Sequence, residues 1–163
     1  MKELLTQYAT YHLWANKQLF DTILKLSTEQ QQQEIVSSFQ GIHATLLHMW
    51  DAEYIWWQRL KLQENIERPS SLRTYTTEEL IQNILLQSEQ WKSWVQQANE
   101  AQLNFVFAYQ NTKREQFKDK VSQMLLHLFN HGTYHRGQLV TLLRQVGVTK
   151  LPSTDFIAWV RKK

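Results

Sequence analysis

The chain has 163 residues, 42% of them hydrophobic, and a formal net charge of +3, which suits one folded domain with a real core. It contains no cysteine, so disulfides, thiolate metal ligands and a cysteine nucleophile are excluded. The chain lacks the apolar runs of a signal peptide or a membrane span, and its basic residues are scattered apart from Arg161-Lys162-Lys163. We therefore expect a cytoplasmic protein with no membrane and no nucleic-acid partner.

Apolar residues with a 3.6-residue period predict four amphipathic helices. The first is expected from about Leu4 to Leu26, with an apolar stripe of Leu4, Tyr8, Tyr11, Ala15, Leu19, Ile23 and Leu26. The polar segment Ser27 to Glu34 follows as a loop or frayed helix. The second helix is expected from near Ile42 to near Leu62, and it is apolar on much of its surface. Such breadth indicates contact with several neighbours or with a partner subunit.

Past a crossover loop, Thr76 and Glu79 predict a capping box at the start of the third helix, which continues to about Ala98. Aromatic and β-branched residues at 103–109 and 115–117 indicate a short hairpin. The fourth helix is predicted from near Lys118 to just before Gly147, and a short terminal helix at 154–160. The fourth helix has an apolar stripe of Val121, Leu125, Leu128, Gly132, His135, Leu139, Leu142 and Val146. Residues 1–163 are thus predicted to form a single all-α domain, a four-helix bundle.

Three histidines, His127, His131 and His135, occur at intervals of four residues on the predicted fourth helix. Residues i and i+4 share a helix face, where two neutral imidazoles can bind one metal ion. Each step of four residues turns about 40° around the helix, so three ligands in one row cannot surround an ion. The ligand pair is therefore 127/131 or 131/135, and a third ligand must come from another helix.

The second helix offers four candidates for the remaining ligand: His43, His48, Asp51 and Glu53. His43 and His48 lie about 140° apart around the helix, so both are not expected to face one ion. Asp51 is a candidate fourth ligand or hydrogen-bond acceptor for a ligand imidazole. A lone inward histidine is more often a hydrogen-bonded core residue, whereas two core-side imidazoles one turn apart favour a metal. A ferritin-like di-iron site is set aside because the chain has no Glu-x-x-His motif.

Several segments together resemble the DinB family of bacterial metal-binding four-helix-bundle proteins. They are Tyr11-His-Leu-Trp-Ala-Asn-Lys17, Ser38-Phe-Gln-Gly-Ile-His43, Leu47-His-Met-Trp-Asp-Ala-Glu53 and Leu126-His-Leu-Phe-Asn-His131-Gly-Thr-Tyr-His135-Arg-Gly-Gln138. The resemblance implies an up-down-down-up bundle with metal ligands His48, His131 and His135, and it makes His43 and His127 their neighbours. It also implies a homodimer. Some relatives are thiol S-transferases or isomerases that use bacillithiol or mycothiol.

Three neutral ligands leave a fourth position open, which is the pattern of catalytic zinc. We expect a divalent ion, zinc or nickel first and iron or manganese as alternatives, that acidifies a bound thiol or water. The leading hypothesis is a metal-dependent transferase or hydrolase with a low-molecular-weight thiol and a small electrophilic substrate. The alternatives are a metal-binding or stress-response module without turnover and a structural helical protein with core histidines.

Three further residues are interpreted as structural. Arg136 is a candidate for binding an anionic substrate, but a salt bridge on the helix surface is the preferred interpretation. Gly132 and Gly137 are expected where another helix approaches closely, since glycine inside a helix costs about 1 kcal/mol relative to alanine. No residue is predicted to be the general acid or base.

Overall fold

The computed structural model describes residues 1–111 and 113–161, and most of them are helical. The described α-helices are α1 (Lys2–Ile23), α2 (Thr28–Gln32), α3 (Ile42–Leu60), α4 (Thr77–Gln97), α5 (Glu100–Asn104), α6 (Val121–Gln145) and α7 (Phe156–Val160). A short 3-10 helix at Pro69–Ser71 lies between α3 and α4, and the strands β1 (Val106–Gln110) and β2 (Gln116–Lys120) precede α6. None of the described helices is long and apolar enough to cross a membrane.

The four long helices pack against one another, since α1 and α3 each contact both α4 and α6. Their inward side chains form two apolar clusters. The first contains Leu19, Phe20, Leu46, Met49, Leu80, Ile84, Leu139 and Leu142. The second contains Leu5, Ala9, Trp91, Val95, Leu125, Leu128 and Phe129. Between these two sets, α1, α4 and α6 also carry buried polar residues, and His12, Asn16, Ser88, His135 and Arg136 belong to the groups described below.

Local sequence signals set the ends of two long helices as predicted. Thr76 Oγ1 accepts from the backbone N–H of Glu79 at 3.2 Å, and Glu79 Oε2 accepts from the N–H of Thr76 at 2.8 Å. This reciprocal capping box begins α4. Gly147 follows α6 with a φ of +95°, a left-handed conformation that favours glycine. The predicted apolar stripe of α6 is buried along its whole length.

The predicted hairpin is confirmed, and its position corrects the start of the last long helix. β1 and β2 pair antiparallel, with Ala108 opposite Lys118 and Val106 opposite Lys120. Lys118 therefore belongs to β2, and α6 begins at Val121. The hairpin also means that the chain is mostly helical rather than purely helical. The short helix α5 was not predicted, although Asn99 and Gln102 form a capping box at its start.

Other helix bounds differ from the predictions by two or three residues. Helix α1 ends at Ile23 rather than Leu26, and α3 ends at Leu60 rather than Leu62. Leu4 was wrongly placed on the inward stripe of α1, because it is 50% exposed whereas Leu5 is fully buried. The segment Ser27 to Glu34 contains the short helix α2. Within the basic cluster at the end of the chain, Lys162 and Lys163 lie outside the described residues.

Candidate metal centre

Helix α6 places His131 and His135 one turn apart, and α3 brings His48 beside them. Nε2 of His131 lies 2.9 Å from Nε2 of His135 and 3.4 Å from Nε2 of His48. One ring nitrogen from each histidine falls in a group whose atoms all lie within 4.8 Å of one another. Nitrogen ligands at about 2.0–2.1 Å from a tetrahedral zinc ion are about 3.3 Å apart. The triad of His48, His131 and His135 can therefore hold one metal ion.

The orientation of His135 is fixed by Gln138. Nδ1 of His135 lies 2.7 Å from Oε1 of Gln138, whose amide nitrogen donates to Oγ of Ser38 at 3.2 Å. An amide oxygen only accepts, so Nδ1 of His135 carries the proton and Nε2 presents a lone pair toward His131. A ligand imidazole whose other nitrogen donates to an oxygen is the usual arrangement at protein metal sites. The donor set therefore fits a divalent cation.

Replacing Gln138 with alanine is expected to weaken zinc binding about 10- to 100-fold, because His135 loses the acceptor that holds its tautomer and ring orientation. The measurement is a competition titration against a chromophoric chelator. Gln145→Ala, at an exposed position at the end of the same helix, is the matched control and should leave the affinity unchanged. Equal affinities for both variants would show that Gln138 does not support the site.

Burial favours the neutral form of all three rings. The pKa of His131 falls from 6.5 to about 3, first because the ring is desolvated and then because His135 and His48 are close. The pKa of His48 falls to about 4 through burial and His135, against an opposing effect of Asp51. Burial also lowers the pKa of His135, although the hydrogen bond to Gln138 opposes this shift. Neutral imidazole is the form that binds metals, so the triad is ready for ligation at neutral pH.

The metal-free protein is expected to lose stability as the pH falls below about 6.5. Histidines in the unfolded chain take up protons near pH 6.5, whereas His131 and His48 in the folded chain resist protonation until about pH 3 and about pH 4. The unfolded state therefore binds more protons in this window, and acid favours it. Thermal melts of chelator-treated protein from pH 7 to pH 5 measure the effect. His131→Ala should flatten the profile; a slope unchanged by this variant would contradict the assignment.

Aromatic rings and an open cleft flank the triad. Phe39, in the segment before α3, stacks on His48 with a centroid distance of 4.0 Å and meets the edge of His135 at 5.5 Å. On another side of His48 lies a cleft of about 360 Å³, lined by His48, Asp51, Ala52, Ile55, Trp56, Arg59 and Arg68. A small molecule in this cleft would lie against one of the three candidate ligands.

Other residues predicted near the site have separate roles. Asp51 accepts two hydrogen bonds from Ser70, one from the backbone N–H at 2.9 Å and one from the hydroxyl at 2.5 Å, and so anchors the 3-10 helix. Nδ1 of His43 lies 3.0 Å from Oγ1 of Thr77 at the start of α4. His127 is exposed and contacts the edge of Trp56, with ring centroids 5.5 Å apart. Asp51, His43 and His127 are therefore not part of the triad.

A second polar group, which the sequence patterns did not predict, lies buried between the two apolar clusters. Arg136 Nη1 lies 3.0 Å from Oδ1 of Asn16 and 3.1 Å from Nδ1 of His12. His12 Nε2 lies 2.9 Å from Oε1 of Glu53. A guanidinium only donates, so His12 accepts at Nδ1 and donates from Nε2 to Glu53. One neutral imidazole thus links a buried cation to a buried anion. Ser88 completes this buried network by donating to Glu53 at 3.4 Å.

The predicted surface salt bridge of Arg136 is therefore wrong. The side chain is only 2% exposed, its Nη2 donates to Thr133 Oγ1 at 2.8 Å, and its Cζ lies 5.4 Å from the centre of the Tyr11 ring. Burial lowers its pKa, and Glu53 is among the groups that oppose this shift. Because α1 and α6 approach closely here, the guanidinium reaches polar groups on α1 without leaving the core.

The two glycines of α6 behave oppositely, although both were predicted at close helix contacts. A Cβ built on Gly132 would collide with Cε1 of His12 and lie 2.8 Å from its Nδ1, whereas a Cβ on Gly137 meets nothing within 4 Å. Gly132 thus permits the approach of α1, and the prediction for Gly137 is wrong.

This contrast gives a matched pair of variants on one helix. Gly132→Ala is expected to destabilise the protein by about 1–3 kcal/mol, because the buried His12 ring must move. Gly137→Ala should stabilise it by up to about 1 kcal/mol through helix propensity. Urea unfolding measures both changes, and stabilisation by Gly132→Ala would contradict the close contact.

Comparison with known proteins finds a family model, a relative and a solved structure that match this chain. The DinB family model matches residues 1–161. Protein DinB of Bacillus subtilis (strain 168) is 34% identical over 155 residues, which cover 90% of this chain and 87% of that protein. The crystal structure of a DinB-like protein from Bacillus subtilis superposes with a TM-score of 0.67 and 17% identity, over 91% of this chain and 98% of the other. At that identity, the structural match shows a shared fold.

Proposed function

We propose a function from two premises: the chain belongs to the DinB family, and its fold brings His48, His131 and His135 together. We propose that these residues bind one divalent cation, zinc or nickel first and iron or manganese as alternatives, and that the protein is a metal-dependent transferase or hydrolase. The convergence of three imidazole nitrogens beside an open cleft carries the proposal. Such an ion would supply a nucleophile near neutral pH by acidifying a thiol or water.

The surrounding residues support this chemistry in three ways. Gln138 holds the proton of His135 on Nδ1 and so keeps Nε2 available. Phe39 covers one face of His48 and shields that side from water. The cleft beside His48 has room for a small electrophile or the body of a thiol cosubstrate.

A non-catalytic metal-binding or stress-response module is the second candidate, and one observation favours it. Among the residues that line the cleft, Asp51 is the one carboxylate, and Ser70 occupies both of its oxygens. The cleft therefore lacks a free carboxylate to act as a general base. An enzyme built on this site would depend on its metal-bound nucleophile and on protons exchanged with solvent.

An activity screen separates the two candidates. Protein loaded in turn with zinc, nickel, iron or manganese is tested for transfer of low-molecular-weight thiols to small electrophiles and for hydrolysis of activated esters and amides. Turnover that disappears in His131→Ala but persists in His127→Ala supports the enzyme. A protein that binds one metal ion per chain and is inactive across the panel is instead a module.

The proposal includes an up-down-down-up four-helix bundle. Along α1 and α6 the chain passes the second apolar cluster before the first, as Ala9 precedes Phe20 and Leu125 precedes Leu142. Along α4 the chain passes the first cluster before the second. Helix α3 has the same order, since it begins in the first cluster and ends with Trp56, Trp57 and Leu60 packed against the second. This order supports α1 and α6 running against α3 and α4.

The homodimer and the cytoplasmic location stay predictions. The broad apolar surface of α3 is partly accounted for within the chain, because Trp57 packs edge-on against Trp91 at 4.9 Å. Light scattering coupled to size-exclusion chromatography gives the mass in solution and so tests the dimer.

A further inference from the structure

Two arginines line the cleft beside His48. Arg59 is on α3, and Arg68 immediately precedes the 3-10 helix. Burial lowers the pKa of Arg59, and the positive charge of Arg68, which lines the same cleft, adds to this shift. Within residues 1–111 and 113–161, neither guanidinium forms an ion pair. Arg68 is exposed, but Arg59 is half-buried, so its unpaired charge is costly unless a ligand supplies a negative charge.

The cleft carries an excess of one positive charge before any metal is counted. Its charged lining residues are Arg59, Arg68 and Asp51. The Asp51 carboxylate is engaged by the backbone and hydroxyl of Ser70 rather than by either arginine. The cleft therefore favours a ligand that carries negative charge.

Arg59 is held in a fixed orientation. Its Cζ lies 4.5 Å from the centre of the Trp56 ring and 4.9 Å from that of Tyr109, and its Nη2 donates to the carbonyl oxygen of Gln110 at 2.8 Å. Its Nε is buried and has no hydrogen-bond partner in the part of the chain that the structure describes. The side chain is thus positioned by its neighbours, while its other N–H groups, Nε–H among them, form no hydrogen bond with the described residues. A guanidinium held in this way is suited to a planar carboxylate.

We propose that Arg59 and Arg68 form a subsite for the carboxylate of a small molecule whose other end reaches the triad. This inference rests on the proposed function, in which the triad binds the metal ion that the other end of the ligand contacts. It narrows the substrate or cosubstrate to a carboxylate-bearing compound.

The first test compares two thiols that differ only in charge. Zinc-loaded protein is titrated calorimetrically with 3-mercaptopropionate and with 3-mercaptopropionamide. The carboxylate should bind about tenfold more tightly than the amide, the effect expected of charge-assisted hydrogen bonds. Arg68→Gln, at an exposed position, should bring the ratio close to one without unfolding the protein. Arg144→Gln removes the same charge from an exposed site on α6 outside the cleft and should preserve the ratio. Equal binding of both thiols by the unchanged protein would overturn the proposal.

The second test does not depend on a metal. The Arg59 Nε–H resonance of chelator-treated protein is followed by NMR during addition of propionate, propionamide or inorganic phosphate. A shift with propionate alone that is retained in His131→Ala supports the subsite. If zinc fails to bind the same protein, that failure contradicts only the proposed function. Zinc binding without any propionate shift overturns the subsite alone. An equal or larger shift with phosphate contradicts the assignment to a carboxylate.

Discussion

Replacing His131 with alanine is expected to lower the affinity for zinc by more than about 100-fold, since even residues that only support metal ligands are worth about 10- to 100-fold. His131 is the middle member of the triad, with its Nε2 within 3.4 Å of Nε2 of both His48 and His135. Its removal leaves two imidazoles on different helices, with no ligand nitrogen between them to complete the metal site. Competition with a chromophoric chelator gives the dissociation constant, and mass spectrometry of metal-loaded protein gives the stoichiometry.

The matched control is His127→Ala. This histidine lies one turn before His131 on α6, but it is exposed and packs beside Trp56 rather than within the triad. Its removal should leave zinc affinity unchanged. The assignment fails if the two variants lose affinity equally, or if His131→Ala retains the affinity of the unchanged protein.

Replacing Arg136 with methionine is expected to reduce the free energy of unfolding by about 3–5 kcal/mol, the cost of leaving a buried charge without its partner. Arg136 is 2% exposed, and it reaches Glu53 through His12 in an unbroken chain of contacts. Without the cation, the Glu53 carboxylate must either stay charged in the core or take up a proton. Urea denaturation monitored by circular dichroism measures the change.

Two companion variants separate loss of charge from loss of volume. Arg136→Met combined with Glu53→Gln removes both buried charges and should recover part of the lost stability, so the two effects are not additive. Arg144→Met, on the exposed surface of α6, should change stability by no more than about 0.5 kcal/mol. The charge-linked network would be contradicted if Arg136→Met lowered the free energy of unfolding no more than Arg144→Met does. It would also be contradicted if the double variant lost as much stability as the two single variants together.

The long helices could be predicted because their signals extend over many turns. The apolar stripe of α6 repeats from Val121 to Val146 and is buried throughout. Short elements carry weaker signals: the segment Ser27 to Glu34, which contains α2, predicts a loop or a frayed helix, and α5 is not predicted. Helix ends were uncertain because apolar side chains such as Leu26 pack against the core beyond the last helical turn.

The candidate site was only partly predictable from spacing. The four-residue interval brings His131 and His135 together, but helix geometry alone left the pair 127/131 open, and the third residue on α3 followed from the family resemblance. The buried network was missed because each of four helices contributes only one or two of its members. No regular sequence spacing connects residues on different helices. His12 and Asn16, four residues apart on α1, were the available signal. Arg136 was misplaced because charged residues are usually exposed.

A crystal structure of the zinc-loaded protein, with anomalous diffraction recorded on both sides of the zinc absorption edge, shows directly whether the triad binds the ion. We expect one strong zinc peak per chain, bonded at about 2.0–2.1 Å to Nε2 of His48, His131 and His135. A peak on His127 or His43 instead, or no ordered peak from protein that retains zinc in solution, would contradict it.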